Sequence, residues 1–163
     1  MVDYEITADY IPGLVGRVTE LHAKYYSQHW GFGSFFEAKV ATEMSEFLVN
    51  YQKNIDRIFS VVLNNTVEAY LIIDRTSETE NVAHLRWFIV SDQLRGQGAG
   101  NRLLSDAMDF SRSNRYEGVY LWTFKGLSSA KHLYEKYGFV ITEETEGAQW
   151  GTVVTEQRYY SKL

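Results

Sequence analysis

The chain is 163 residues long, contains no cysteine and carries a formal net charge of −5. That length suits one domain, expected to span residues 1–163, with a sizeable core. The missing cysteines exclude disulfides, thiolate nucleophiles and Cys-type zinc sites, and the acidic balance argues against a nucleic-acid partner.

The first elements follow in order. "YEITA" alternates like a short strand. Pro12 suits the first turn of a helix running to about Tyr26. "HWGFGS" (29–34) breaks the pattern, and "SFFEAKVATEMSEFLVNY" resumes it as a second helix. There Ser34 and Glu37 have capping-box spacing, while Phe36, Val40, Met44, Phe47 and Leu48 recur at helical intervals. "DRIFSVVLNNTVEAYLIID" reads as two strands around an Asn64-Asn65 hairpin turn. "VAHLRWFIV" (82–90) is a third long strand. After a glycine-rich stretch comes a helix with Leu103, Leu104, Ala107 and Met108 on one face. "GVYLWTF" (118–124) is a buried-type strand, and "SSAKHLYEKYGF" is a short helix ended by Tyr137-Gly138. Two more strands are expected near 139–145 and 151–160. This β-α-α-β-β-β-α-β-α-β-β order implies one mixed α/β layer fold. The N-terminal "MVDYEITADY" lacks the basic region and apolar core of a signal peptide. No apolar run reaches bilayer length. A cytoplasmic protein with no membrane partner is therefore expected, in keeping with the absence of disulfides.

"QLRGQGAGNRLL" (93–104) is the most informative stretch. A strand, a glycine-rich turn and a helix start together make an anion site. The first helical N–H groups lack internal partners, and glycines let a phosphate approach the backbone. Arg95 adds a permanent charge. No Gly-Lys-Ser/Thr ends the stretch, so it is not a Walker A loop. The Gly-x-Gly-x-Gly spacing after a fourth strand also departs from the dinucleotide fingerprint. A turn with no ligand is the alternative on these residues alone.

"VSDQLRGQGAGNRLL" resembles the acyl-CoA signature of the GNAT superfamily of N-acetyltransferases, in either of two registers, Arg95-Gly98-Gly100 or Gln93-Gly96-Gly98. "AKHLYEKYGF" resembles that family's second hallmark helix. The spacing between them, with "GVYLWTF" in the middle, fits as well. The segments "YYSQHWGFGSFFEAKVA", "LWTFKGLSSAKHLYEKYGF" and "EQRYY" look closest to GNAT domains often fused behind a MarR-type DNA-binding domain, a module not expected within these residues. The resemblance implies a mixed, predominantly antiparallel central sheet flanked by helices, the GNAT fold. It implies acetyl-CoA as co-substrate, no metal, and transfer to a primary amine by direct attack in a ternary complex. The acceptor would be a small-molecule or peptide amine, and self-association into a homodimer stays open.

The resemblance also implies roles for residues. Phe88, Ile89 and Val90 would pair their backbone with the pantetheine arm. The amides of Arg95, Gly96, Gln97, Gly98, Ala99, Gly100 and Asn101 would hold the pyrophosphate. The strands 82–90 and 118–124 would splay apart to admit the thioester. Tyr134 would be the general acid, although its helix face also reads as core. Where the family often has asparagine, this chain has Leu127. Ser128 or Ser129 would replace that contact, or else cap the helix. No acid stands in Val82-Ala83-His84-Leu85-Arg86, so the base is His84, Glu37 or a water relay. His22 and His29 are expected to be exposed. Tyr25, Tyr26, Trp30, Phe32 and Phe35 would line the acceptor pocket, or else form hydrophobic core under a loop, and the acidic "TEETEGAQWG" near the other edge would favour a cationic acceptor. A non-catalytic acyl-CoA-binding sensor is the other reading of the same fold.

Overall fold

The computed structural model describes residues 2–75 and 81–163. The chain runs β1 (Glu5–Thr7), α1 (Leu14–Trp30), α2 (Ser34–Val49), β2 (Arg57–Leu63), β3 (Thr66–Asp74) and β4 (Val82–Val90). It continues with α3 (Ala99–Ser113), β5 (Gly118–Phe124), α4 (Ser128–Lys136), β6 (Val140–Gly147) and β7 (Val154–Lys162). The expected order of elements is the observed one. Helix α1 begins after Gly13, so Pro12 lies in the preceding turn rather than in the helix. At the other end α1 runs on to Trp30, where left-handed Gly31 stops it.

The strands form one seven-stranded sheet in the order β1-β2-β3-β4-β5-β7-β6. Neighbours pair antiparallel except β4 and β5, which run parallel. The β2–β3 turn is Asn64-Asn65, both with positive φ (51° and 60°). That geometry matches a two-residue hairpin of type I′, and asparagine tolerates it.

Both faces of the sheet are covered. Leu14, Val18, Phe36, Val40 and Met44 of α1 and α2 pack on Ile58, Tyr70, Ile72, Ile89 and Phe124. On the opposite face, Leu103, Leu104, Ala107 and Met108 of α3 pack on Val61, Leu71, Ile73 and Leu85. The middle strand β3 is therefore buried along nearly its whole length, which is why it reads as an almost unbroken apolar run. Each such side chain contributes about 1.5–3 kcal/mol relative to exposure.

One irregularity sets up the site. Ile72 pairs with Arg86, but Tyr70 pairs with Ile89, so β4 advances three residues while β3 advances two. The extra residue is a β-bulge, with Trp87 at φ 47°. It changes the alternation of β4. Ala83 and Leu85 face α3, and so do Phe88 and Val90 beyond the bulge, while Trp87 and Ile89 join the α1/α2 side. Arg86 and Trp87 thus share one face, the guanidinium lying 3.9 Å from the centre of the Trp87 ring.

Candidate active site

Strands β4 and β5 share three rungs, at Val82–Gly118, Ala83–Val119 and His84–Tyr120. Beyond them β4 stays on β3 as far as Val90, and β5 stays on β7 as far as Phe124. The two strands therefore diverge, as expected, and backbone groups on their facing edges lose each other as partners. The gap opens into a cleft of about 980 Å³, at the upper end of the roughly 300–1,000 Å³ of ligand pockets.

The glycine turn closes one end. Gly96 and Gly98 have φ of +74° and +82°, and a Cβ at either would meet nothing within 4 Å. Here the glycines are needed for the backbone conformation and leave open space above it. Gly98 caps α3 with no side-chain bond. The amides of Ala99, Gly100 and Asn101 precede the first closed helical bond, Arg102 N–H to the Gly98 carbonyl at 3.0 Å. Among the described residues no backbone acceptor is recorded for them, and they stand at the positive end of a helix. Gly100 differs: a Cβ there would touch Phe88 and Val90, each at 3.4 Å, because α3 lies close against β4 at this point.

Two expected amides do not join this group. Arg95 N–H donates to the Ser91 carbonyl and Gln97 N–H to the Leu94 carbonyl, each at 3.1 Å. These bonds build the turn itself, and Gln97 is not part of the cleft wall. The Arg95 side chain does border the cleft, paired with Asp92 and 4.7 Å from the centre of the Tyr25 ring. Phe88, Ile89, Val90, Ser128 and Ser129 also line it. The serines are not caps, because the N-cap of α4 is Leu127. Asn101 is braced from α4, its Oδ1 accepting from Lys136 Nζ at 2.7 Å and from the Tyr137 hydroxyl at 3.1 Å.

Tyr134 enters the cleft from α4. Its ring packs among Phe88, Phe139 and Tyr159, yet its side chain also forms part of the cleft wall. Core and cleft are thus both true of it. Its hydroxyl makes no hydrogen bond to the described residues. Burial, reinforced by nearby Tyr26 and Tyr159, pushes its pKa well above 10, so the phenol keeps its proton at any working pH.

The other end of the cleft lies on the α1/α2 face, and here the expectations fare less well. Tyr26 and Trp30 line it. Phe32 does not: it is 2% exposed, packed against Tyr26, Phe36 and Phe124 as core. Phe35 points outward, 61% exposed, and covers Gly151. Glu37 is exposed and outside the cleft wall. Its capping box does not form either, since Gly33 is the N-cap and Ser34 the first helical residue. The acidic residues Glu143, Glu144 and Glu146 of β6 are exposed and outside the wall, which takes only Gln149 and Trp150 from that region.

His84 lines the cleft, but it is stacked on Tyr120 at 4.3 Å. Burial, with a further push from Arg86, lowers its pKa to about 3. It is neutral near pH 7 and a poor base. The charged groups present were not singled out from the sequence. Lys39 and Glu43 of α2 and Arg86 of β4 all line this end. Glu43 accepts from Lys39 Nζ and from Arg86 Nη2 at 2.9 Å, and Arg86 Nη1 reaches buried Asp74 at 3.0 Å. The Lys39–Glu43 spacing is a readable helical pair, but nothing local says that it faces β4.

All four tryptophans of the chain, Trp30, Trp87, Trp122 and Trp150, line this one cleft, each half-buried.

His22 was expected at the surface and is 6% exposed. Its Nδ1 lies 3.1 Å from the Val18 carbonyl, beside the Tyr70 hydroxyl, which itself donates to Val18 at 2.8 Å. Burial lowers its pKa to about 4. Between about pH 4 and 6.5 the unfolded chain therefore binds a proton at His22 that the folded chain refuses. Stability is intact above pH 6.5 and falls as pH drops towards 4. The loss is expected to approach about 1.4 kcal/mol per pH unit for this one group. Urea midpoints between pH 7 and 4.5 check this, and His22→Phe should flatten the slope, leaving the share due to His84.

The sheet divides at the parallel β4–β5 pair, and the glycine turn at the start of α3 and Tyr134 of α4 both border the cleft so formed. The profile of the acetyltransferase (GNAT) family matches residues 16–139. The chain belongs to that family. It is 28% identical over 119 residues to an N-acetylaspartate synthetase from Xenopus tropicalis, covering 73% of this chain and 44% of that protein. The chain thus spans less than half the length of that relative. An acetyltransferase of the GNAT family from Staphylococcus aureus Mu50 superposes with a TM-score of 0.75 at 16% identity, covering 99% of each chain. The structure of yncA from Salmonella typhimurium with its cofactor acetyl-CoA gives a TM-score of 0.71 at 14% identity, covering 98% of this chain and 94% of that one.

Proposed function

We propose that this chain transfers the acetyl group of acetyl-CoA to a primary amine, with Tyr134 as general acid. The observation that carries the reading is the alignment of three features along one cleft: open helix-start amides, diverged strand edges and the Tyr134 side chain. The acetyl-CoA bound to the Salmonella structure supports the same donor here.

The residues fit such a donor. Open space over Gly96 and Gly98 and the amides of Ala99, Gly100 and Asn101 suit a diphosphate. The unpaired edge at Phe88–Val90 suits an extended arm carrying amides, which would add to β4 much as a strand does. Acetyl-CoA supplies an acetyl thioester. The amine nitrogen forms the new C–N bond, the C–S bond breaks, the nitrogen loses one proton and the sulfur gains one. Tyr134 gives the sulfur its proton. Its raised pKa would hinder this beside a solvated thiolate. A thiolate expelled into the same buried site is raised too, so the two stay near matched.

A lysine-like amine, of pKa about 10.4, costs about 4–5 kcal/mol to neutralise at pH 7. Of the groups on the cleft wall, His84 is too weak a base and Glu43 sits between two cations, while exposed His29 also borders the cleft. His29 or water in the open cleft takes the proton.

Free thiol released from acetyl-CoA over a panel of amines tests the reading. Thiol release that depends on the amine is expected, with acetylated amine formed in equal amount. Tight acetyl-CoA binding with no thiol release for any amine would instead make this a sensor.

A further inference from the structure

Resting on that reading, we infer that the acceptor is an amine bearing a carboxylate and a flat apolar side chain, an aromatic or large apolar amino acid. Three observations converge. The first is charge. The chain is acidic overall at −5, yet the charged side chains lining the cleft are Lys39, Arg86 and Arg95 against Glu43 alone. Arg95 reaches from the glycine turn to Tyr25 of α1 and is paired with Asp92. Lys39 and Arg86 flank the other end, with Glu43 between them and Asp74 buried behind Arg86.

A purely cationic acceptor would enter between two cations, with one carboxylate already shared by both. An acceptor carrying its own carboxylate meets the opposite situation. Arg86 gives one nitrogen to Asp74 and one to Glu43, and a guanidinium has five N–H donors. Lys39 and Glu43 are each about 30% exposed, at 27% and 31%, and can re-pair around an incoming anion. Asp74, at 3%, stays behind to hold Arg86 in place.

The second observation is the aromatic wall. Trp30 comes from α1, Trp87 from β4, Trp122 from β5 and Trp150 from the segment before β7. Four separate elements bring every tryptophan of the chain to one place, and each leaves part of its ring uncovered. Large aromatic surfaces left open in a concave site favour an apolar, flat ligand.

The bulge is the third. By placing Arg86 and Trp87 on one face it stacks a carboxylate-binding guanidinium on the Trp87 ring, at the edge of the tryptophan wall. A carboxylate on Arg86 would carry its side chain over tryptophan.

Matched acceptors test this with the intact protein. L-phenylalanine has both features, phenethylamine lacks the carboxylate, alanine lacks the ring, and aspartate replaces the ring by a second carboxylate. L-phenylalanine is expected to exceed each of the others by about ten-fold or more in kcat/KM. Lys39→Met is expected to cut its preference over phenethylamine to within about three-fold, through KM for the amino acid. Acetyl-CoA binding, followed by calorimetry, shows that the variant is folded. Phenethylamine turned over as well as phenylalanine would overturn the carboxylate while leaving acetyl transfer intact. Aspartate or alanine turned over best would overturn the aromatic part. If acetyl-CoA binds and no amine reacts, the acetyl-transfer reading falls as well.

Discussion

Tyr134→Phe is expected to lower kcat by about 10²–10⁴-fold, the range general acid catalysis contributes, with no change in acetyl-CoA affinity. The substitution removes a single oxygen. The ring stays packed against Phe88, Phe139 and Tyr159. The lost hydroxyl has no hydrogen-bond partner among the described residues, so no protein donor or acceptor is orphaned by its removal. Stability should therefore hold, and a drop in rate would be chemical rather than structural. Steady-state thiol release, with acetyl-CoA titrated by calorimetry, separates the two. Wild-type turnover in the variant would leave Tyr134 as core and make water the acid.

Gly98→Glu should weaken CoA binding by a factor of a hundred or more. Gly98 sits at φ +82° in open space at the start of α3. A side chain there projects to where a diphosphate would lie on the helix-start amides. Two like charges about 5 Å apart repel by about 3 kcal/mol at an effective dielectric of 20, which is more than a hundred-fold in affinity. Gly98→Asn separates charge from backbone strain, because asparagine tolerates the left-handed region. It should keep most of the affinity. Calorimetry on both variants, with circular dichroism as a check on folding, reads the difference. An unchanged affinity in Gly98→Glu would move the diphosphate elsewhere.

The glycine-turn half of the cleft was more legible in the sequence than the α1/α2 half, for a physical reason. Binding a diphosphate on backbone amides needs glycines at a helix start, and those stand together in seven residues, 95–101. The strands beside them, 82–90 and 118–124, could be bounded to the residue because they are β-branched and aromatic runs between polar breaks. The other half is assembled from α1, α2, β4 and β5, and no local pattern says which aromatic turns inward. Trp30 and Phe32 are two residues apart, yet one lines the cleft and the other is core. His22 lies one helical turn before Tyr26, on the inward face, which a coarse reading of that helix missed. The bulge at Trp87 has no glycine to announce it. It is visible only as a mismatch of register with β3, and without it Arg86 and Trp87 would face opposite ways. Arg95 and Gln97 show the reverse error. The stretch does form a turn at a helix start, but two of its amides are consumed in making that turn.

The gathering of every tryptophan into one cleft also makes the molecule its own reporter. Indole emission ordinarily averages over sites scattered through a fold. Here light excited at the tryptophan band comes from around one opening, and the α3 core and the outer strands are dark at that wavelength. A shift in its colour or intensity is news from the place where acyl donor and acceptor would meet, with no label attached.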